Sequence, residues 1–112
     1  MTEEIAPWEL WWTNFDPQVG REQAGLRPAI VVGTRFSCHI PNQLAFVVPC
    51  TTTDRGLPFH PPVKSLDRET FAMCDQLKSI SRKRLMRRHP TTLEAEDIEG
   101  IKFVLRQMID TR

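Results

Sequence analysis

Cationic side chains are concentrated in one stretch of this sequence. The first twenty residues contain no Lys or Arg, whereas six basic residues crowd together further on: Lys78, Arg82, Lys83, Arg84, Arg87 and Arg88. Such a cluster attracts phosphate groups, because it neutralises them and releases their counterions. Charged runs are also commonly just solvated surface. The cluster is therefore a candidate nucleic-acid interface, with a plain solvated face as the equal alternative.

Three tryptophans lie close together near the start of the chain, at Trp8, Trp11 and Trp12. An aromatic face accepts an unpaired base, which is how many proteins bind single-stranded RNA. Core packing or a dimer interface is the commoner use of such residues. In a strand Trp11 and Trp12 point to opposite faces, so at most one of them can stack on a ligand. We take Trp12 as the candidate.

Metal and cofactor chemistry has little support in the sequence. The candidate ligands Cys38, His39, Cys50, His60 and Cys74 show no short C-x-x-C or H-x-x-x-H spacing. The motifs of phosphate loops, serine hydrolases and zinc proteases do not occur either. We therefore expect neither a metal nor a cofactor. Three widely spaced cysteines favour reduced thiols over a disulfide framework.

The length and overall charge set the limits of the fold. A chain of 112 residues is predicted to form a single domain over residues 1–112, and its net charge of +1 identifies no partner by itself. The N-terminus lacks a basic, then apolar, secretory signal, and the longest apolar runs have the length of strands. We expect a cytoplasmic protein with no membrane partner.

The elements that must position these residues are mostly strands. Aromatic and β-branched runs predict three strands, and weaker signals predict two more: Glu9–Phe15, Pro28–Val32, Leu44–Val48, His60–Val63 and Phe71–Ser79. A polar loop from Asp16 to Leu26 separates the first two. Only the last quarter is predicted to be helical, over about Thr92–Asp110, with Thr91 and Glu94 as a capping box. Its apolar stripe is Ile98, Ile101, Leu105 and Met108, beside Val104. The pattern indicates a small, barrel-like α+β fold.

Four segments stand out as motifs along the chain. They are Phe15-Asp16-Pro17, Gly20-Arg21-Glu22-Gln23-Ala24-Gly25-Leu26-Arg27-Pro28, Val48-Pro49-Cys50-Thr51-Thr52 and Cys74-Asp75-Gln76-Leu77-Lys78-Ser79-Ile80. In this order they resemble the motifs of the MazF/PemK/Kid toxin endoribonucleases. The second is the most specific, because it matches the family's G-x-E-Q-x-G-x-R-P. The resemblance covers nearly the whole chain from about Glu9. It implies an SH3-like β-barrel with a C-terminal α-helix, a homodimer, and metal-independent cleavage of single-stranded RNA at short sequence sites. It also implies a cognate MazE-like antitoxin whose disordered tail occupies the RNA groove.

The resemblance also implies residue roles. Arg27 matches a catalytic arginine, whose guanidinium fork can hold two phosphate oxygens, and Thr51 matches a catalytic threonine. Glu22 and Asp75 are the carboxylates that could accept the 2′-hydroxyl proton or orient Arg27. A structural ion pair is the alternative for both, and for Asp75 we favour binding and positioning. Whether Arg27 also transfers protons stays open.

The remaining predicted RNA contacts surround these residues. They are Arg21, Gln23, Trp12, Arg55, Asp75, Gln76, Lys78 and Arg84. The amides of Gln23 and Gln76 can read base edges, although loop hydrogen bonds are an equal alternative.

The chain departs from the Kid branch at two positions. Met73 stands where that branch has an arginine, and Arg21 where it has a histidine. The arrangement of Arg27 with Thr51 is therefore preferred, with His60 a minor candidate proton acceptor. Two other functions remain open: a CcdB-like toxin that binds a topoisomerase through its C-terminal helix without chemistry, and an inactive RNA-binding module.

Overall fold

Apolar residues on both faces of the strands determine how this chain folds. The computed structural model describes residues 4–15 and 26–110. The strands are β1 (Leu10–Asn14), β2 (Leu26–Val31), β3 (Leu44–Thr51), β4 (Phe71–Ala72), β5 (Lys78–Ser81) and β6 (Leu85–Arg88). Two α-helices accompany them, α1 (Arg35–Cys38) and α2 (Ala95–Met108). Short 3-10 turns, Cys74–Gln76 and Arg82–Arg84, precede β5 and β6.

The strands form one antiparallel sheet in the order β4-β3-β2-β1-β6, with β5 also paired to β3. The long strand β3 is shared among three neighbours: its first half pairs with β5, its middle with β2, and its end with β4. Within the described ranges β4 and β6 do not pair, so hydrogen bonds do not close the sheet. The predicted α+β class is confirmed.

Hydrophobic clusters cover both faces of the sheet. On one face Leu10, Ile30 and Val48 pack with Ile101 of α2. On the other face their chain neighbours Trp11, Val31 and Val47 pack with other apolar side chains. Because successive side chains alternate between faces, a strand buried on both sides needs a continuous apolar run. This explains the runs in β2 and β3.

Helix α2 lies where the sequence predicts it but is shorter. It begins at Ala95, since the backbone of the preceding Glu94 is extended, and Leu93 before it is buried in the core. The predicted capping box was wrong, since Glu94 makes no side-chain cap and its backbone N–H donates to Ser65 Oγ over 2.8 Å. Ile101 is fully buried, whereas Met108, the last residue of α2, remains exposed and does not join the stripe.

The middle of the chain differs more from prediction. His60–Val63 is not a strand, because Pro61 and Pro62 lack backbone donors, and only one bridge joins Pro62 to Phe71. Phe71–Ser79 is interrupted by the turn at Cys74–Gln76. Helix α1 was not predicted, although Thr34 caps it by accepting a hydrogen bond from Ser37 N over 3.1 Å. None of the described helices has the length and apolar character to cross a membrane.

Candidate active site

A cavity of about 440 Å³ lies where β1, β2 and β3 meet the loop before β4 and the segment after β6. Its walls include Trp12, Arg27, Thr51, Arg68 and His89. Two cations, two aromatic rings and a row of threonine hydroxyls thus surround one opening. Guanidinium groups and hydroxyls bind phosphate oxygens, and aromatic rings bind bases. We call this cavity the cleft.

Arg27 and Thr51 lie on neighbouring strands and line the same cavity. The ladder of β2 with β3 ends at the pair formed by Ala29 and Pro49. Arg27 comes two residues before Ala29 and Thr51 two residues after Pro49, so both lie just beyond the end of this ladder, and both line the cleft. Residues 24 positions apart in the chain therefore contribute to one site.

The two side chains have complementary surroundings. Arg27 is exposed to solvent, as a group that must meet a charged ligand needs to be. Thr51 is 9% exposed, and its Oγ1 accepts a hydrogen bond from the Thr53 backbone N–H over 3.1 Å. That bond fixes the hydroxyl oxygen and leaves the hydroxyl proton free for donation to a ligand oxygen.

One wall of the cleft is formed by a loop that is hydrogen-bonded to α2. Leu66, Asp67 and Arg68 line the cavity, and the residues just before them bind Asp97. The buried Asp97 carboxylate accepts hydrogen bonds from the Lys64 N–H over 3.0 Å, the Ser65 N–H over 2.7 Å and the Ser65 hydroxyl. A buried carboxylate with three donors is a rigid anchor. This anchoring role of Asp97 was not predicted from the sequence.

A family model described as the PemK-like, MazF-like toxin of type II toxin-antitoxin systems matches residues 6–109. The chain belongs to this family. The Endoribonuclease toxin MazF of Escherichia coli K12 is 35% identical over 101 residues, 90% of each chain. Endoribonuclease EndoA of Bacillus subtilis is 26% identical over 85 residues, 69% of this chain and 71% of the relative. The enzyme class that follows from this membership is endoribonuclease.

Solved structures of PemK/MazF proteins share the fold. MazF from Deinococcus radiodurans superposes with a TM-score of 0.77 at 23% identity, covering 95% of this chain and 96% of that one. The predicted barrel-like fold with a C-terminal helix is therefore confirmed, with a sheet that remains open among the described residues.

The other predicted RNA contacts do not line the cleft. Asp75 accepts a hydrogen bond from His60 Nε2 over 2.8 Å, and Gln76 follows it in the 3-10 turn. Lys78 lies over the Phe15 ring at 5.2 Å, and Arg84 Nη1 donates to the Asn14 carbonyl over 3.1 Å. Arg55 contacts Met73 Sδ. Lys78 and Arg84 thus lie at the end of β1.

Three predicted site residues, Arg21, Glu22 and Gln23, lie outside the described residues. Their proposed parts in catalysis and binding stay predictions. His60, the minor candidate for proton acceptor, is buried against Asp75 and is not among the residues that line the cleft.

The basic cluster serves several purposes in this PemK/MazF chain. Arg82 is structural, because its guanidinium donates to the Leu44 carbonyl over 2.8 Å and to the Cys38 carbonyl over 2.5 Å. Arg88 lies 3.5 Å from a carboxylate oxygen of Glu9. Arg87 is exposed and stands opposite Trp12 in the register of β6 with β1. Part of the predicted phosphate-binding patch therefore holds the fold together.

The cysteines are inert packing groups. All three are free thiols and buried. Burial raises the pKa of the Cys74 thiol to about 12, and the neighbouring Asp75 adds to the rise. Burial likewise raises the pKa of Cys50, which lines the base of the cleft. Raised pKa values keep thiols protonated and unreactive. Within the described part of the chain, His, Cys, Asp and Glu form no group of three that could hold a metal.

Sequence reasoning missed His89 entirely. Its ring lies beside Trp12, with ring centroids 5.6 Å apart, in the wall of the cleft. A lone histidine before a proline carries no motif, so only the pairing of β6 with β1 shows where it goes.

Proposed function

We propose that this chain is a metal-independent mRNA interferase that cuts single-stranded RNA at short, specific sequences, leaving 2′,3′-cyclic phosphate and 5′-hydroxyl ends. The observation that carries the proposal is that Arg27 and Thr51 line one cleft. The endoribonuclease names of the Escherichia coli and Bacillus subtilis relatives support it.

The proposed reaction is an internal transesterification. The ribose 2′-oxygen attacks the adjacent phosphorus, the bond from phosphorus to the 5′-oxygen breaks, and the 2′-hydroxyl proton is removed as the leaving oxygen is protonated. Negative charge builds on the non-bridging oxygens. Arg27 stabilises that charge, and the Thr51 hydroxyl donates to one of the same oxygens and holds the phosphate in line. Glu22 stays our candidate for the proton acceptor.

The recognition of single-stranded RNA follows from the walls of the cleft. Trp12 offers an aromatic face to an unpaired base, and Arg68 adds positive charge to the cleft wall. Arg55, Gln76, Lys78 and Arg84 are proposed to contact RNA beyond the cleft, together with Arg21 and Gln23. Asp75 is proposed to take part in binding and positioning the RNA. Because Arg27 supplies the stabilising charge, the chemistry requires no metal ion or cofactor.

A cognate antitoxin is the second proposed partner. Crystal structures of MazE–MazF from Deinococcus radiodurans show such a complex for a protein of the same fold. We propose that a MazE-like antitoxin with a disordered tail competes with RNA for the basic groove, because one positive surface binds both kinds of polyanion. We also propose a homodimer that acts in the cytoplasm.

The decisive experiment digests a long mixed-sequence RNA in the presence of EDTA and sequences the new ends. Wild type is compared with Arg27→Ala and with Arg106→Ala, which removes an exposed arginine of α2 outside the cleft. We expect cuts at a shared short motif with 5′-hydroxyl ends, unchanged in Arg106→Ala and lowered at least about 100-fold in Arg27→Ala. RNA affinity should fall much less.

Two results would contradict the proposal. No cleavage by folded wild-type protein would favour a toxin that only binds its target. Equal losses of turnover and affinity in Arg27→Ala would remove its role in the transition state. Thr51→Ser and Thr51→Val test the hydroxyl in the same assay, since only serine keeps a donor, and only the valine variant should lose turnover.

A further inference from the structure

His89 is held in place by its backbone and by its ring. The His89 N–H donates to the Leu10 carbonyl over 2.8 Å, which continues the contact of β6 with β1 past Arg88. Pro90 follows and favours an extended conformation at residue 89. The ring then takes up a fixed position, half-buried against Trp12 at an interplanar angle of 37°.

A second contact selects the tautomer of this ring. His89 Nδ1 accepts a hydrogen bond from the Thr91 backbone N–H over 3.1 Å. Since that nitrogen is the acceptor, the ring carries its proton on Nε2. No described residue accepts a hydrogen bond from Nε2. The His89 ring in the cleft wall is therefore oriented, and its Nε2–H is available to donate to a ligand.

We propose that His89 and Trp12 together form the base-binding edge of the cleft, where one unstacked nucleobase next to the scissile phosphate rests on the His89 ring. This inference rests on the proposed function. The cavity that Arg27 and Thr51 line also has Trp12 and His89 in its walls, so a nucleotide whose phosphate binds the first pair can place its base against the second. The Nε2–H donates to an acceptor on the base or its ribose, which contributes to sequence preference.

Proton transfer is a different role, which the geometry disfavours. To give a proton to the leaving 5′-oxygen, the ring must first hold protons on both nitrogens. Protonation of Nδ1 removes the acceptor of the Thr91 N–H. His89 is therefore a positioning residue, and its loss affects binding of substrate more than turnover of bound substrate.

Two variants of His89 separate its ring from its hydrogen bonds. His89→Phe keeps an aromatic face and loses both nitrogens. His89→Asn keeps an acceptor near the position of Nδ1 for the Thr91 N–H and loses the ring. The matched control is His39→Asn, which alters an exposed histidine at the end of α1 that does not line the cleft; its Nδ1 lies 2.7 Å from the Arg35 carbonyl oxygen. Thermal unfolding by circular dichroism checks that all variants fold.

Affinity is measured with an RNA oligonucleotide that contains the mapped cleavage sequence and a 2′-deoxy sugar at the scissile position. A set of such oligonucleotides places an abasic nucleotide at each position in turn. We expect His89→Asn to raise Kd about 5- to 150-fold and His89→Phe to raise it far less, because stacking on an aromatic ring survives in the latter. At one position, the abasic nucleotide should raise the Kd of wild type by the same factor and should not raise the Kd of His89→Asn any further.

Three outcomes would overturn the inference. The first is that His89→Asn binds RNA as tightly as wild type does, and the second is that its loss of affinity adds to the loss caused by an abasic nucleotide at every position. The third is that His89→Asn lowers kcat and leaves Kd unchanged. Any of these together with normal cleavage by wild type leaves the proposed function intact. Failure of wild type to cleave or bind RNA would remove both proposals.

Discussion

His60 Nε2 lies 2.8 Å from a carboxylate oxygen of Asp75, and this pair joins the proline-rich loop to the family's Cys-Asp-Gln turn. The imidazole is buried, and its other nitrogen, Nδ1, has no partner among the described residues. A buried N–H at Nδ1 would lack an acceptor, so the ring donates from Nε2 to Asp75. The pair fixes the aspartate side chain that the sequence placed near RNA.

Replacement of Asp75 should therefore depend on whether an acceptor is kept. Asp75→Leu leaves the buried Nε2–H of His60 unpaired, and we expect the free energy of unfolding to fall by about 1–3 kcal/mol. Asp75→Asn retains a carbonyl acceptor and should cost less than half of that. Urea denaturation of both variants measures the difference. Equal losses would mean that the hydrogen bond contributes nothing beyond the shape of the side chain.

Two neighbouring carboxylates of α2 should differ sharply in their effect on stability. Asp97→Ala removes the acceptor of two backbone N–H groups and the Ser65 hydroxyl, so we expect a loss of about 2–3 kcal/mol. Glu96→Ala breaks only an exposed ion pair with Lys64, 4.0 Å apart, and should change stability by less than about 0.5 kcal/mol. Chemical denaturation provides both values.

Asp97→Ala should also weaken the binding of RNA in the cleft. Asp97 holds the residues that precede Leu66, Asp67 and Arg68, so its loss frees one wall of the cavity. We expect RNA affinity to fall in Asp97→Ala and to stay at the wild-type value in Glu96→Ala, measured at a temperature where both are folded. Unchanged affinity in the folded Asp97 variant would show that the loop does not depend on this anchor.

Successive arginines of β6 give a matched pair for RNA binding. Arg87 stands opposite Trp12 and shares its face of the sheet, whereas Arg88 stands opposite Trp11 and pairs with Glu9. Arg87→Gln should weaken RNA binding and lower the slope of log K against log salt by about 0.7, the value for one phosphate contact on a single strand. Arg88→Gln should leave the slope unchanged. A salt titration of RNA binding by both variants measures these slopes. Equal slopes for the two variants would show that Arg87 does not contact the RNA.

The buried Cys74 thiol predicts a loss of stability in alkali. Its pKa rises from an ordinary value of 9.0 to about 12 in the folded protein, chiefly through burial. Between these values the unfolded chain loses the thiol proton and the folded chain keeps it, so the free energy of unfolding falls as the pH rises.

Cys74→Ala lacks this contribution. The stability difference between wild type and Cys74→Ala should therefore shift against wild type as the pH rises from about 9 to 12, by at most about 4 kcal/mol. Guanidinium denaturation at several pH values measures the shift. A difference that does not change with pH would show that the thiol titrates alike in both states.

The sequence by itself determined the elements whose signal is local. Continuous apolar runs predicted β2 and β3, and the spacing of Ile98, Ile101 and Leu105 predicted α2, because burial demands those patterns. The ordered motifs identified the family, and with it Arg27 and Thr51 as candidates. The alternation of Trp11 and Trp12 between faces also follows from strand geometry alone, and the structure confirms it, with Trp11 in the core and Trp12 in the cleft.

Only the tertiary structure decided which distant residues meet. Arg27 and Thr51, on neighbouring strands, line one cleft, and the pairing of β6 with β1 brings His89 to Trp12. The tertiary structure also distinguishes the two arginines. Arg82 donates hydrogen bonds to backbone carbonyls, whereas Arg87 is exposed and available to a ligand. Charge and residue type are alike in both arginines. Their functions differ because hydrogen-bond partners are set by strand pairing across the fold, which local sequence does not encode.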